Sequence, residues 1–147
     1  MRTTALSTSK LDLRSLWLGA LSGILGGIPF GMLMGMMGML PMVGMLVHVN
    51  DAAVGFGVHM LISAVTGALY GFLAVRLPQT WRTAGIAGMA YGILWWVLGA
   101  LILMPFLLGM PQMILAIGTT QWFSLMGHII FGLVTAFAFL FLRRRVH

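Results

Sequence analysis

Two histidines are the residues whose type and placement most suggest chemistry. His59 and His128 lie inside the runs 52–75 and 83–142, neither of which contains Asp, Glu, Lys or Arg. Ionisable side chains at such positions are scarce and by default suggest a functional site. A pair of neutral imidazoles suits axial ligation of a haem-like cofactor, part of a metal site, or the handling of protons or a solute. The structural alternative is that each ring hydrogen-bonds a neighbouring carbonyl or hydroxyl and holds the helices together.

His48 and Asp51 form a second candidate group just before the apolar run that holds His59. Met42, Met45 and His48 follow one another at intervals of three, and soft thioethers with an imidazole suit Cu(I). Methionine is equally an ordinary, flexible packing residue. Asp51 is predicted to cap the helix of His59, because a carboxylate favours a helix N-terminus. The alternative is a proton or cation access point formed with His48. The pattern leaves the metal and the cofactor unknown.

The composition excludes most classes of soluble protein. The 147 residues are 61% hydrophobic and 7% charged, whereas soluble domains carry about 25% charged residues. Cysteine is absent, so disulfides and thiol chemistry are excluded. Asp12 and Asp51 are the only acidic residues, which excludes acid–base catalysis by paired carboxylates. No serine triad, H-E-x-x-H motif or phosphate-binding loop is present, so we expect a protein that is not an enzyme.

Four apolar segments are long enough to cross a bilayer, which takes about 20 residues. They are predicted at about 16–39, 53–75, 84–107 and 122–142, with a break from Pro105 to Gln121. All Lys and Arg side chains fall on one side of this arrangement: Arg2, Lys10, Arg14, Arg76, Arg82, Arg143, Arg144 and Arg145. The positive-inside rule makes that side cytoplasmic, so both termini and the tail 1–14 are expected there. The net charge of +6 is therefore interpreted as membrane orientation and not as nucleic-acid binding.

The chain also has the pattern of an internal repeat. Three elements recur at a constant offset: His59, Val65-Thr66 and Phe72-Leu73 match His128, Val134-Thr135 and Phe141-Leu142. The units 15–78 and 79–145 each span twice, so they point the same way across the membrane. Symmetry would then bring the two imidazoles face to face. The predicted fold is all-α, a four-transmembrane-helix bundle built from two parallel helical-hairpin repeats.

Small residues at intervals of four predict where these helices pack. Such residues share one helical face and let a neighbouring backbone come close. They occur in the first three spans: Gly19, Gly23, Gly27, Gly31 and Gly35, then Gly67 and Gly71, then Gly88 and Gly92. The alternative use of the ladder in the first span is the interface of a homo-oligomer or of a larger membrane complex.

Residues 59–145 resemble the YagU-like family of bacterial inner-membrane proteins. The matching features are His59 with Ser63 and Tyr70, Pro78 and Trp81, the break Pro105–Gly109–Pro111, Gly127-His128 and the closing Arg143-Arg144. The family pattern also has a histidine in its third span, where this chain has Trp95 and Trp96. The resemblance implies a small envelope protein linked to acid stress tolerance, without an established reaction.

Together these patterns predict a non-enzymatic polytopic protein of the bacterial inner membrane. It is expected to be an accessory or structural membrane subunit, or a small envelope protein linked to stress tolerance. The alternative prediction is a cofactor- or metal-binding protein, or a small proton or solute translocator, that uses His59 and His128. The lipid bilayer is the partner common to all of these.

Overall fold

The computed structural model describes residues 13–146, so the predicted tail residues Arg2 and Lys10 lie outside the described part of the chain. That part forms five helices and no strand: α1 (Leu13–Met36), α2 (Leu40–Gly44), α3 (Ala52–Ala74), α4 (Trp81–Leu107) and α5 (Thr119–Arg145). All except α2 are long and apolar enough to span a membrane. The predicted all-α bundle of four long helices is therefore confirmed, and it is compatible with a polytopic membrane protein.

The long helices alternate in direction and pack in the order α3, α1, α5, α4. We call α1 with α3 the first hairpin, and α4 with α5 the second hairpin. Their ends form two distinct regions. The arginine end holds every described Arg, and there Arg144 donates to Gln79 O at 2.8 Å and Arg14 donates to Val146 O. The loop end holds the connections 37–51 and 108–118, and its only described acidic residue is Asp51.

Glycines bring the two backbones of each hairpin into contact. In the first hairpin, a Cβ added at Gly67 would lie 2.5 Å from Gly23 Cα and 2.7 Å from Gly23 N. In the second, a Cβ added at Gly88 would lie 2.6 Å from Gly132 O. Real Cβ atoms do not approach backbone this closely, so any larger residue at these positions forces the helices apart. Gly19, Gly71 and Gly92 face the neighbouring backbone in the same way.

The glycine ladder of α1 is covered by its own chain from Gly19 to Gly31. Beyond Gly23, an added Cβ at Gly27 would lie 2.7 Å from Ser63 Cβ, and one at Gly31 would lie 2.7 Å from the Phe56 ring. Gly35 is exposed and has only ordinary contact, 3.4 Å from Leu40 Cδ1. Most of the ladder is thus used for packing inside the chain.

The first connection at the loop end differs from the predicted one. The first span was expected to reach residue 39 near Pro41, but α1 ends at Met36 and the chain turns at Gly38, whose φ is +67°. Pro41 instead lies in the first turn of α2, where the missing N–H costs no helical hydrogen bond. α2 packs on α3, where Gly44 and Gly55 allow close backbone contact.

The second hairpin also corrects the predicted boundaries. The third span begins at Trp81 and not near residue 84, because Thr80 Oγ1 caps it by accepting from Thr83 N–H at 3.1 Å. α4 ends at Leu107, as predicted for the third span, but α5 begins at Thr119 and not near residue 122, so the connection is shorter than the predicted break from Pro105 to Gln121. Within α4, residues Trp96–Leu103 form a π-helical segment, which no sequence pattern indicated.

Candidate functional site

His59 joins the two helices of the first hairpin. Its Nε2 lies 2.8 Å from the carbonyl oxygen of Gly27 in α1, and Ser63 Oγ is 3.5 Å from the same nitrogen. A carbonyl oxygen only accepts, so Nε2 carries the hydrogen and donates it. The side chain is buried. This bond between helices is the structural role that the sequence offered as an alternative to a functional site.

His128 bonds within its own helix. Its Nδ1 lies 2.8 Å from the carbonyl oxygen of Ser124, one turn earlier in α5, and 3.4 Å from Ser124 Oγ. Because the Ser124 carbonyl oxygen can only accept, Nδ1 of His128 is the donor. The two histidines therefore occupy matching places in the sequence but donate from opposite ring nitrogens, one to a neighbouring helix and one to its own.

The Phe30 ring contacts both imidazoles. Its centroid is 5.1 Å from that of His59 and 4.7 Å from that of His128, edge-on in both cases. An added Cβ on Gly127 would collide with this ring, so the glycine provides the space that holds Phe30 against α5. The two imidazoles were expected to face each other. Instead, each of them contacts the Phe30 ring.

Both histidines line a cavity of about 560 Å³ in the loop-end half of the bundle. All four long helices and both loop-end connections contribute to its wall, which is dominated by apolar groups. Methionines are prominent, namely Met34, Met39, Met42, Met104, Met110 and Met113. Phe30, Phe131 and Trp95 supply aromatic rings, and a few Ser, Thr and Gln side chains accompany the histidines. We call this space the loop-end cavity.

The π-helical segment of α4 forms one wall of the loop-end cavity through Gly99, Ala100 and Leu101. Pro105 has no N–H to donate to the carbonyl of Leu101 one turn earlier. That carbonyl instead accepts from Leu115 N–H of the loop 108–118, at 2.9 Å. In lipid a freed backbone group needs such a partner, so the loop is held over the end of the cavity. Leu115 takes a left-handed φ of +58° to reach it.

Tyrosines close the cavity toward the arginine end. Tyr91 of α4 donates its hydroxyl hydrogen to Thr66 O of α3 at 2.5 Å. Tyr70 packs edge-on against Tyr91, with centroids 5.1 Å apart, and against Phe139 at 5.9 Å. These contacts join the two helices at the ends of the row, α3 and α4. They form a packed aromatic layer next to Thr66, which lines the cavity.

Trp95 and Trp96 are adjacent in α4 but have different surroundings. The sequence alone did not indicate a role for either of them. Trp95 lines the loop-end cavity, packs edge-on against Tyr91 with centroids 6.2 Å apart, and buries its Nε1. Trp96 is buried, donates from Nε1 to Gln121 O at 2.9 Å and stacks on Trp122 with centroids 6.0 Å apart. Trp96 therefore holds α4 to the start of α5, and Trp95 belongs to the site.

The second candidate group does not join the histidine pair. His48 and Asp51 are exposed, and neither lines the cavity. Asp51 Oδ1 accepts from Val54 N–H at 2.9 Å, so the predicted helix cap is confirmed. Of the spaced thioethers, Met42 and Met45 are both exposed, and Met42 also lines the cavity whereas Met45 does not. In the part of the chain that the structure describes, no three His, Asp or Glu side chains form a metal-binding group.

Sequence reasoning missed Phe30, Trp95 as a cavity residue, and the Tyr91–Thr66 contact. A signal existed for the first, because Phe30 is a bulky ring between Gly27 and Gly31 of the ladder. Comparison of the chain with protein-family models, with curated proteins and with solved structures finds no significant match. The fold and the loop-end cavity therefore have to carry the functional argument by themselves.

Proposed function

We propose that the protein is a non-enzymatic polytopic inner-membrane protein that binds a lipophilic small molecule in the loop-end cavity. The observation that carries the proposal is a space of about 560 Å³ with two buried or half-buried imidazoles in its wall. Ligand sites are typically concave, mostly apolar, about 300–1,000 Å³ in volume, and carry a few polar groups that orient the ligand. The loop-end cavity has each of these properties.

The same geometry favours binding over the other predicted functions. A translocation path would have to pass Tyr70, Tyr91 and Phe139, which pack against one another below the cavity. Most of the glycine ladder of α1 is covered by α3 within the chain, so it does not favour the accessory-subunit alternative. The resemblance to the YagU-like family stays a prediction. Its link to acid tolerance predicts acid stress as the condition in which such binding would matter.

We also propose that the arginine end faces the cytoplasm. The six arginines of residues 13–146 lie there, and positive loop charge sets cytoplasmic orientation. The loop-end cavity would then lie in the outer half of the inner membrane, next to the lipids of that leaflet. A lipophilic ligand would reach it from the bilayer without crossing water.

The binding proposal is tested with an apolar fluorophore and a variant that fills the cavity. Gly99 lines the cavity, and an added Cβ there meets only Trp95 Cε3, at 3.7 Å. Gly99→Phe should therefore occupy the space without moving backbone. Wild-type protein in lipid nanodiscs should bind 1-aminoanthracene saturably, and Gly99→Phe should weaken this binding at least about tenfold.

The matched control is Gly57→Phe, because Gly57 is exposed on α3 and has nothing within 4 Å of an added Cβ. The control should bind the fluorophore like wild type. Equal, non-saturable partitioning of the fluorophore with all three proteins would show that the lipid and not the cavity takes it up, and the proposal would fail.

A further inference from the structure

The hydrogen bonds of the two histidines determine what they offer to the cavity. A neutral imidazole has one N–H and one bare ring nitrogen that only accepts. His59 donates from Nε2 to Gly27 O, which leaves Nδ1 as the acceptor. His128 donates from Nδ1 to Ser124 O, which leaves Nε2 as the acceptor. Neither acceptor has a partner among residues 13–146, and both side chains line the cavity.

The polar side chains around the histidines leave the two ring acceptors free. Thr66 Oγ1 donates to Ile62 O at 2.8 Å, and Ser63 and Ser124 lie beside the donating ring nitrogens. The Trp95 indole N–H is buried beside Tyr91 and is not offered to the cavity. The wall thus presents two imidazole acceptors and a few Ser, Thr and Gln side chains in otherwise apolar surroundings.

A hydroxyl group matches this set because it donates one hydrogen and accepts another. An imidazole nitrogen would take the hydroxyl hydrogen, and one of the Ser, Thr or Gln side chains of the wall would donate to the hydroxyl oxygen. The rings of Phe30, Phe131 and Trp95, together with the methionines, favour an aromatic body, since thioethers and ring edges pack well on aromatic groups.

We infer that the ligand is a lipophilic aromatic alcohol, of the phenol or hydroquinone type, whose hydroxyl hydrogen is accepted by His59 or His128. This inference rests on the proposed function and names its ligand class. An organic ligand is favoured because about 560 Å³ suits a drug-sized molecule and the described residues hold no group of three His, Asp or Glu side chains for a metal ion.

The test uses two probes that differ in one hydrogen-bond donor, 4-octylphenol and its methyl ether 4-octylanisole. The affinity of each probe is measured by its displacement of 1-aminoanthracene from protein in nanodiscs. The partitioning of each probe into the lipid is measured with the Gly99→Phe variant and subtracted. The corrected affinity of wild type should be about tenfold higher for the phenol, which is the value of one hydrogen bond to an otherwise unpaired acceptor. The double variant His59→Leu, His128→Leu should lose this preference and bind the two probes with equal affinity.

Each outcome has a distinct meaning. Equal affinity of wild type for phenol and ether would overturn the ligand class but leave the proposed binding function standing. A preference for the phenol that survives in the double histidine variant would also overturn it, because the acceptors would lie elsewhere. Since His59 bonds Gly27, the single variant His128→Leu serves as the folded substitute if the double variant is unstable, and it should reduce the preference.

Discussion

The two hairpins use the same contacts near the arginine end and diverge near the loop end. Both are closed by glycine against backbone, at Gly67 against Gly23 and at Gly132 against Gly88. Toward the loop end the first hairpin stays tight, because α2 folds back onto α3 and His59 bonds across to α1. The second hairpin changes there, because α4 becomes π-helical over Trp96–Leu103.

This difference shows how a bundle of similar helices acquires a cavity. Toward the arginine end, Tyr70 of the first hairpin packs on Tyr91 of the second, so the two hairpins are in close contact there. The π-helical half carries Gly99 and Ala100 at the wall, where small side chains leave space. π-Helical turns are rare and often occur at functional sites, which fits their position beside the loop-end cavity. The variants below test this division between scaffold and site.

The largest effect is expected where both hairpins are closed. Gly67→Ala and Gly132→Ala each place a Cβ into the opposing backbone, which cannot move away as a side-chain tip does. We expect each to lower the free energy of unfolding by about 3 kcal/mol or more. Unfolding in mixed dodecyl maltoside and SDS micelles measures this, with Gly57→Ala as the control. If Gly67→Ala cost no more than the control, the hairpins would not be held by close backbone contact.

A smaller effect should separate the two histidines. His59→Leu removes a bond between helices, whereas His128→Leu removes a bond within one helix. We expect the first to lower the free energy of unfolding by about 1 kcal/mol more than the second. The same detergent titration measures the difference. Equal losses would mean that the two imidazoles play equivalent roles, as strict repeat symmetry implies.

The smallest effect concerns the loop held by Leu101. Pro105→Ala supplies an N–H that competes with Leu115 N–H for the Leu101 carbonyl. Hydrogen exchange at Leu115 should then become about five- to tenfold faster. Pro41→Ala is the matched control, because Pro41 lies in the first turn of α2 and its change should leave Leu115 as it was. If hydrogen exchange at Leu115 were unchanged in Pro105→Ala, the position of the loop 108–118 would not depend on the missing N–H of Pro105 in α4.

Much of the fold could be predicted because its signals are local. Charge-free runs mark the long helices, and Asp51 marks the start of α3 by its position before an apolar run. The site was only partly predictable, because its geometry depends on contacts distant in the sequence. The Leu101 carbonyl of the π-helical segment is bonded by Leu115 of the following loop, and the placement of Phe30 depends on Gly127 of another helix. A one-dimensional pattern contains neither contact, so it indicated the histidines but not the cavity between them.

Native mass spectrometry most directly tests whether the loop-end cavity holds a lipophilic molecule. Protein would be released from lipid particles extracted without detergent, and the masses of wild type, Gly99→Phe and Gly57→Phe would be compared. We expect a bound small molecule, present at about one per chain, on wild type and on Gly57→Phe, and its loss from Gly99→Phe. The same adducts on all three proteins, or none on any of them, would contradict the account.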